Sequence, residues 1–177
     1  MEKKRISQKQ WKVLRFIGSY LGVILVFYLI YYSGFYDRII NPRFLNFQAW
    51  VSYSFLNILE SPLHLRNTVV SSPDFSYTII RGCDGLEGLM IFLAAILVFP
   101  VALKYKWRGL LVGTLALFLI NHLRIIILYY VGVLRPDYFE FAHHNIGFIL
   151  YSLSSILVLL LWVEWIRKRQ IKVKVKA

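Results

Sequence analysis

The sequence has a single cysteine, Cys83, and few charged residues of either sign. One cysteine excludes an intrachain disulfide and a metal cluster built from several cysteines. Charged residues make up 17% of the 177-residue chain, whereas hydrophobic residues make up 58%, more than the ~45–50% usual in soluble domains. This composition excludes a disordered chain and disfavours a soluble globular domain. We therefore expect an integral membrane protein.

Acidic residues are scarce relative to basic ones, with 9 Asp and Glu against 21 Lys and Arg and a formal net charge of +12. Such an excess can indicate a nucleic-acid partner. Here the basic residues flank apolar runs, which is typical of membrane topology signals. We therefore expect membrane lipid around the chain and no nucleic acid as a partner.

Four apolar runs approach the ~20 residues that span a bilayer core, and they cover residues 16–36, 86–103, 109–134 and 145–166. A fifth run, 44–59, is interrupted by Asn and Ser side chains and by Gln48. It predicts a helix that is interfacial or re-entrant. Residues 68–70 and 75–80 are β-prone and flank a Ser-Ser-Pro-Asp turn signal, which predicts a short hairpin.

The positive-inside rule orients these runs. Six basic residues lie in the first 15 residues, three lie in the loop 104–108, and six lie after residue 166. If all three segments are cytoplasmic, the chain crosses the membrane an even number of times between residues 15 and 104. The runs 16–36 and 86–103 supply two crossings. The run 44–59 therefore does not cross and stays on the outer side. We predict an all-α integral membrane protein of four transmembrane helices, an outer interfacial helix and an extracytoplasmic β-hairpin.

This orientation divides the chain into a cytoplasmic basic N-terminus (1–15), one membrane-embedded domain (16–166) and a cytoplasmic basic tail (167–177). Residues 37–85 and 135–144 then face the exported side of the cell membrane. The first run serves as an uncleaved signal anchor, because it is long for a signal peptide and no small-residue cleavage motif follows it.

Arg124 is a charged residue inside the third run, and such residues are functional candidates because their burial in lipid is costly. Counted from the cytoplasmic end at ~1.5 Å per residue, Arg124 lies ~22 Å up a ~30 Å core, in the outer leaflet. Asn121 shares its helix face and can hydrogen-bond a neighbour. The alternative is that Arg124 extends outward to lipid headgroups.

Cys83 precedes the second run at its outer end. The positive end of a helix dipole favours a thiolate there, and Gly82 and Gly85 can bring main-chain N–H groups close to a substrate carbonyl. The alternatives are a buried cysteine without chemistry and a small-residue packing face.

His143 and His144 precede the fourth run, also on the outer side. Either histidine can act as a general acid and base near neutral pH, or can simply lie at the membrane interface. Neighbouring residues seldom ligate one ion and no third ligand is evident, so we expect no metal and no other cofactor. A cysteine nucleophile, a histidine proton carrier and an arginine that stabilises negative charge together suit acyl transfer.

Three short motifs resemble those of the exosortase/archaeosortase family in order and spacing. They are Gly82-Cys83-Asp84-Gly85-Leu86, then Asn121-His122-Leu123-Arg124-Ile125, and then Phe141-Ala142-His143. The resemblance covers residues 80–166, and the chain is similar to compact members of the family. It implies a membrane-embedded cysteine transpeptidase with Cys83 as nucleophile, Arg124 as stabiliser of the oxyanion or thiolate, and His143 as general acid and base.

The resemblance also implies the partners, which are exported proteins ending in a short motif, a transmembrane helix and a basic cluster. Cleavage near the outer membrane face would join the new carboxyl end to an acceptor. The alternative function is a non-catalytic assembly or lipid-headgroup-binding protein. A small transporter is disfavoured, because no polar residues mark a path through the inner leaflet.

Overall fold

The computed structural model describes residues 7–60 and 62–175 of the chain. Some of the predicted topology signals lie outside the residues whose side chains the structure describes. They are Lys3, Lys4, Arg5 and the basic residues after residue 169. Most of the chain is helical. The helices are α1 (Gln8–Tyr31), α2 (Asn41–Leu59), α3 (Leu86–Val98), α4 (Leu103–Leu134), α5 (Pro136–Phe141) and α6 (Phe148–Val175). Two π-helical segments, Tyr36–Ile40 and Ala142–Gly147, precede α2 and α6.

Three helical stretches in the described part of the chain are long and apolar enough to cross a membrane: Gln8–Tyr31, Leu103–Leu134 and Pro136–Arg169. The fourth predicted span, 86–103, differs. Its helix α3 covers only Leu86–Val98, because Phe99 takes the extended conformation that the following Pro100 favours. At ~1.5 Å per residue α3 is ~20 Å long, shorter than the ~30 Å core. The number of crossings therefore stays a prediction.

α1 begins earlier than hydropathy predicts. Ser7 caps the helix by accepting a hydrogen bond from the Gln10 main-chain N–H, and the Gln10 side chain accepts one from the Ser7 main-chain N–H. This reciprocal cap starts the helix at Gln8, eight residues before the apolar run. A hydropathy window detects only the apolar part of such a helix.

The predicted hairpin is confirmed and belongs to a small antiparallel sheet. β2 (Val69–Ser71) pairs with β3 (Ser76–Thr78) across the expected turn. A further strand, β1 (His64–Arg66), pairs with β2 on the other side and was not predicted. The sheet order is β1-β2-β3, so β3 lies at an edge.

α2 is the helix predicted for 44–59, and two of its polar residues, Gln48 and Ser52, face inward. Its buried positions recur three or four residues apart, at Leu45, Gln48, Ala49, Ser52 and Leu56, as one face of a helix requires. This face packs against β3 and α4, since Leu45 and Ala49 form a cluster with Ile79 and Ile125. Gln48 and Ser52 are therefore internal, whereas Asn46 and Asn57, which also interrupt the apolar run, are exposed.

α3, α4 and α6 enclose the main apolar cluster of the described residues. Its buried members are Phe92, Ile96, Leu117, Trp162 and Ile166. In a bilayer this packing is held mainly by van der Waals contact, because lipid tails are as apolar as the side chains. The cluster holds α4, which carries Arg124, against α3, which follows Cys83, and α6, which follows His143.

Candidate active site

Cys83 lies in the turn between β3 and α3 and contacts His143. Its side chain is buried, with 9% exposed, and its Sγ lies 2.5 Å from His143 Nε2. His143 comes from the π-helical segment before α6. The two residues are 60 positions apart, so the fold, not local sequence, brings them together.

The electrostatic surroundings of Cys83 differ from the expectation of a stabilised thiolate. Burial raises the pKa of the thiol, and Asp84 adds to this effect, whereas Arg124 and a hydrogen bond involving Ile80 act in the opposite direction. The net direction is upward. Cys83 precedes the first residue of α3 by three positions, so the helix dipole is too distant to offset desolvation. The resting cysteine is therefore a neutral thiol that needs a base.

Arg124 projects from α4 into the cavity that Cys83 and His143 line. Its Nε is buried and has no hydrogen-bond partner among the described residues. Gly147 provides the room for this side chain, because a Cβ there would lie 2.7 Å from Arg124 Nε. The side chain of Arg124 is thus partly buried, and its Nε has donor capacity free for a bound group.

The turn that carries Cys83 is held by side chains from three helices. Three consecutive main-chain carbonyls each accept one hydrogen bond from a side chain. The Cys83 carbonyl accepts from Asn121 Nδ2 at 3.1 Å, that of Asp84 from Gln48 Nε2 at 2.8 Å, and that of Gly85 from the Tyr151 hydroxyl at 2.7 Å. We call these three donor residues the carbonyl clamp. α2, α4 and α6 therefore fix the position of the nucleophile candidate together.

Sequence reasoning identified one member of the carbonyl clamp and missed two. Asn121 was expected to hydrogen-bond a neighbour near Arg124, and its partner is the Cys83 main chain. Gln48 carried a signal, since it is an amide in an apolar helix, but that pattern was interpreted as a weak membrane affinity. Tyr151 carried no signal among the many tyrosines of the chain.

Gly82 and Gly85 adopt left-handed backbone conformations, with φ of +89° and +74°. Gly85 also lies against the carbonyl clamp, since a Cβ there would lie 2.8 Å from Asn121 Cγ and 2.9 Å from the Tyr151 hydroxyl. Glycine is required there by both backbone and space. The role of these residues in presenting N–H groups to a substrate stays a prediction.

His144 lines the same cavity as Cys83, but Cys83 Sγ contacts His143 and not His144. Its Nε2 forms an ion pair with Glu140 at 3.1 Å, and both side chains are mostly exposed. The His143 ring stacks on Phe139, with centroids 5.7 Å apart. Donor atoms of Glu140, His143 and His144 come within 4.8 Å of one another. They are the metal-ligand candidates among the described residues, although the ion pair already joins two of them.

The cavity between β3, α4 and the α5–α6 connection has a volume of about 280 Å³. Cys83, Arg124 and His143 line it together with residues 76–80 of the hairpin. The three candidates from different parts of the sequence therefore share one cavity. It brings together a thiol, an imidazole in contact with that thiol, and a guanidinium with a free donor.

Comparison with known proteins identifies relatives over most of the chain. Residues 7–162 match a family model described as transmembrane exosortase. A protein of Methanocaldococcus jannaschii named "Probable archaeosortase E" is 25% identical over 156 residues, which cover 88% of this chain and 80% of that relative. No solved structure matches the chain.

Proposed function

Because this chain belongs to the transmembrane exosortase family, we propose that it acts as a cysteine transpeptidase on the C-terminal sorting signals of exported proteins. It is a multi-pass membrane protein of that family, with three apolar helices of spanning length in its described part. The substrate would carry a short motif, a transmembrane helix and a basic cluster at its C-terminus. Cleavage would take place just before that helix.

The contact between Cys83 Sγ and His143 Nε2 carries this proposal. A nucleophile within hydrogen-bonding reach of a base is the arrangement that covalent catalysis requires. Because burial raises the pKa of the thiol, formation of the thiolate requires a base in contact with it to accept the proton. Arg124 in the same cavity supplies the cation that a developing oxyanion needs.

The reaction begins with proton transfer from the Cys83 thiol to His143 Nε2. The thiolate attacks the scissile carbonyl carbon, and the carbonyl oxygen gains the negative charge that Arg124 stabilises. When this intermediate collapses, the carbon–nitrogen bond breaks and His143 donates its proton to the leaving amine. The substrate's exported part is now held as a thioester on Cys83, and the C-terminal helix is free to leave.

An acceptor then resolves the thioester. An amine or a water molecule attacks the acyl carbon while His143 takes its proton, and the thiol is restored as the carbon–sulfur bond breaks. This cycle needs Nε2 of neutral His143 to accept the first proton, so its Nδ1 must carry the hydrogen at that stage. No oxidant or reductant takes part.

The basic segments support an orientation with both termini in the cytoplasm and the cavity toward the exported side. This orientation suits the proposed substrate. Its own basic cluster would remain inside, its helix would span the membrane, and the bond before the helix would reach the cavity from the exported side.

Mass spectrometry of the C-termini of membrane-associated exported proteins tests the function in source cells. We expect proteins with the three-part signal to lose it in wild-type cells and to retain it in cells with Cys83→Ser. A His144→Ala strain is the matched control and should process normally. Unchanged processing in Cys83→Ser cells with normal protein levels would favour the lipid-binding alternative.

A further inference from the structure

β3 has one unpaired edge, and the hydrogen bonds of the hairpin show which of its residues face that edge. Ile79 N–H donates to the Thr68 carbonyl at 2.9 Å, and Ser72 N–H donates to the Phe75 carbonyl at 2.8 Å. In an antiparallel pair such bonds alternate along the strand. The main-chain groups of Ser76 and Thr78 therefore point away from β2, toward the free edge.

Alternation of side chains anchors β3 while leaving its outer edge open. Ile79 is buried against α2 and α4, and Tyr77 packs on Tyr129 of α4. Ser76 and Thr78 are exposed. Outside the β2–β3 ladder, no main-chain hydrogen bond in the described part of the chain involves Ser76 or Thr78, and the alternation within the ladder directs their main-chain groups away from β2. The side chains of Tyr77 and Ile79 therefore hold the strand in place, while the main-chain donors and acceptors of Ser76 and Thr78 are free.

This edge lies in the wall of the candidate active site. Residues 76–80 line the same cavity as Cys83, Arg124 and His143. Beyond the strand the chain turns sharply, since Cys83 N–H donates to the Ile80 carbonyl at 3.0 Å. The thiol therefore lies at the end of the edge, where a chain running along β3 would arrive.

We propose that the substrate binds as an added β-strand on the free edge of β3, with its scissile carbonyl beyond the end of that strand at Cys83. This inference rests on the proposed function and names how the substrate is recognised. The occupant is the extended segment just before the substrate's membrane helix. An extended peptide supplies the alternating N–H and carbonyl groups that the edge lacks.

Recognition by strand addition has a distinct chemical consequence. Most of the affinity comes from the substrate main chain, and side chains contribute at alternate positions only. Blocking a substrate N–H should therefore matter at every second residue. This pattern separates strand addition from recognition of side chains alone.

Thiol-directed peptide probes on the full-length protein in detergent test the proposal. The probes are tetrapeptidyl chloromethyl ketones with mixed side chains, each N-methylated at one main-chain nitrogen in turn. We expect them to modify Cys83 faster than iodoacetamide does. N-methylation should slow modification about three- to tenfold or more at alternate nitrogens, the loss expected for one hydrogen bond, and should leave the intervening nitrogens unaffected.

A variant pair gives a second measurement. Thr78→Pro removes the free-edge N–H without removing a hydrogen bond to β2, and Thr78→Val alters the side chain while keeping that N–H. We expect the proline variant alone to lose the rate advantage of the peptide probes, with iodoacetamide alkylation of Cys83 reporting an intact site. Equal loss in both variants would assign the effect to the side chain and overturn the proposal.

The two proposals fail in different ways. If the unmethylated peptide probes show no advantage over iodoacetamide, the cavity does not bind peptides and the proposed function fails with the inference. If they show the advantage but N-methylation has the same effect at every position, only strand addition is overturned.

Discussion

At the scale of single residues, the account depends on a neutral thiol next to a base. Burial raises the pKa of Cys83, while His143 Nε2 lies in contact with Sγ. This differs from the sequence-based expectation of a thiolate stabilised by a helix dipole. The difference is physical: burial depends on tertiary packing around the turn, which the local Gly-Cys-Asp-Gly pattern does not contain.

The raised pKa predicts slow alkylation of Cys83 at neutral pH. A thiol with a raised pKa has a smaller thiolate fraction than a free thiol at any pH below that pKa, so its alkylation should be slower. As the pH increases, the alkylation rate of Cys83 should continue to rise after the rate of a free thiol has reached its plateau. Iodoacetamide alkylation followed by mass spectrometry measures this in the purified protein.

An exposed cysteine on the same hairpin provides the control. Cys83→Ser combined with Asp74→Cys should follow the pH profile of a free thiol, because Asp74 is exposed. Faster alkylation of Cys83 than of this control at neutral pH would contradict the buried neutral thiol.

The two neighbouring histidines are predicted to differ sharply. His143→Gln should lower processing by about 10²- to 10⁴-fold, the usual contribution of a general acid and base. His144→Gln should change processing by less than about threefold, because its partner is the exposed Glu140. Rates of signal cleavage in membranes with equal amounts of each variant measure the difference. Equal losses in both variants would argue against His143 as the proton carrier.

Arg124→Lys is predicted to be a severe substitution although it keeps the charge. Lysine presents a point charge and cannot reproduce the planar donor set of a guanidinium, so we expect cleavage to fall by about tenfold or more. Iodoacetamide alkylation of Cys83 serves as the control for an intact cavity. Full cleavage activity in the Arg124→Lys protein would contradict the proposal that the Arg124 guanidinium stabilises the oxyanion.

At the scale of elements, the turn before α3 is positioned by the carbonyl clamp. Its three donors, Gln48, Asn121 and Tyr151, come from three helices and bind three consecutive carbonyls. The sequence pattern of each helix predicts which face is apolar, but not which main-chain group a buried polar side chain meets. For this reason Asn121 was predicted as a supporting residue without its partner, and Tyr151 was not predicted.

Tyr151→Phe tests the clamp by removing a single hydroxyl. The Gly85 carbonyl would lose the hydrogen bond from the hydroxyl and keep the one from the Leu89 N–H. The loss of one such bond costs about 0.5–1.5 kcal/mol, so thermal unfolding should occur at a lower temperature and cleavage should slow. Tyr138→Phe is the matched control, since Tyr138 is 62% exposed, and it should unfold like the wild type. Wild-type stability and cleavage in Tyr151→Phe would show that the hydroxyl does not position the turn.

Local signals predicted the hairpin better than the third strand. The Ser-Ser-Pro-Asp turn and β-prone flanks specify β2 and β3, because turn chemistry is a local property. β1 is three residues long and has one apolar side chain, Leu65, so its polar–apolar–polar order is too short to indicate a strand. Its pairing with β2 depends on where α2 ends, which sequence patterns do not encode.

At the scale of the whole molecule, hydropathy predicted a helical membrane protein and the order of its long helices. It did not predict that α3 ends before Pro100 or that α1 begins at Gln8, because these boundaries are set by caps and proline rather than by apolar content. The family match covers residues 7–162, and the division of the chain into one membrane-embedded domain with two basic ends stays a prediction. The orientation in the membrane stays a prediction.

Cysteine labelling with a membrane-impermeant maleimide tests that orientation in intact cells. In a Cys83→Ser background, Asp74→Cys should be labelled in intact cells, whereas Lys106→Cys should be labelled only after permeabilisation of the cell membrane. Both positions are exposed or partly exposed in the structure, so access depends on the side of the membrane. The reverse pattern would invert the proposed topology and place the cavity in the cytoplasm.

Trapping the acyl intermediate tests the central claim most directly, since that claim is that Cys83 forms a thioester with the exported protein. Hydroxylamine added to membranes that contain enzyme and substrate should intercept the thioester and leave a C-terminal hydroxamate on the cleaved protein, detectable by mass spectrometry. The account predicts this product with the wild-type chain and none with Cys83→Ala. Continued release of the C-terminal helix by the Cys83→Ala protein would contradict it.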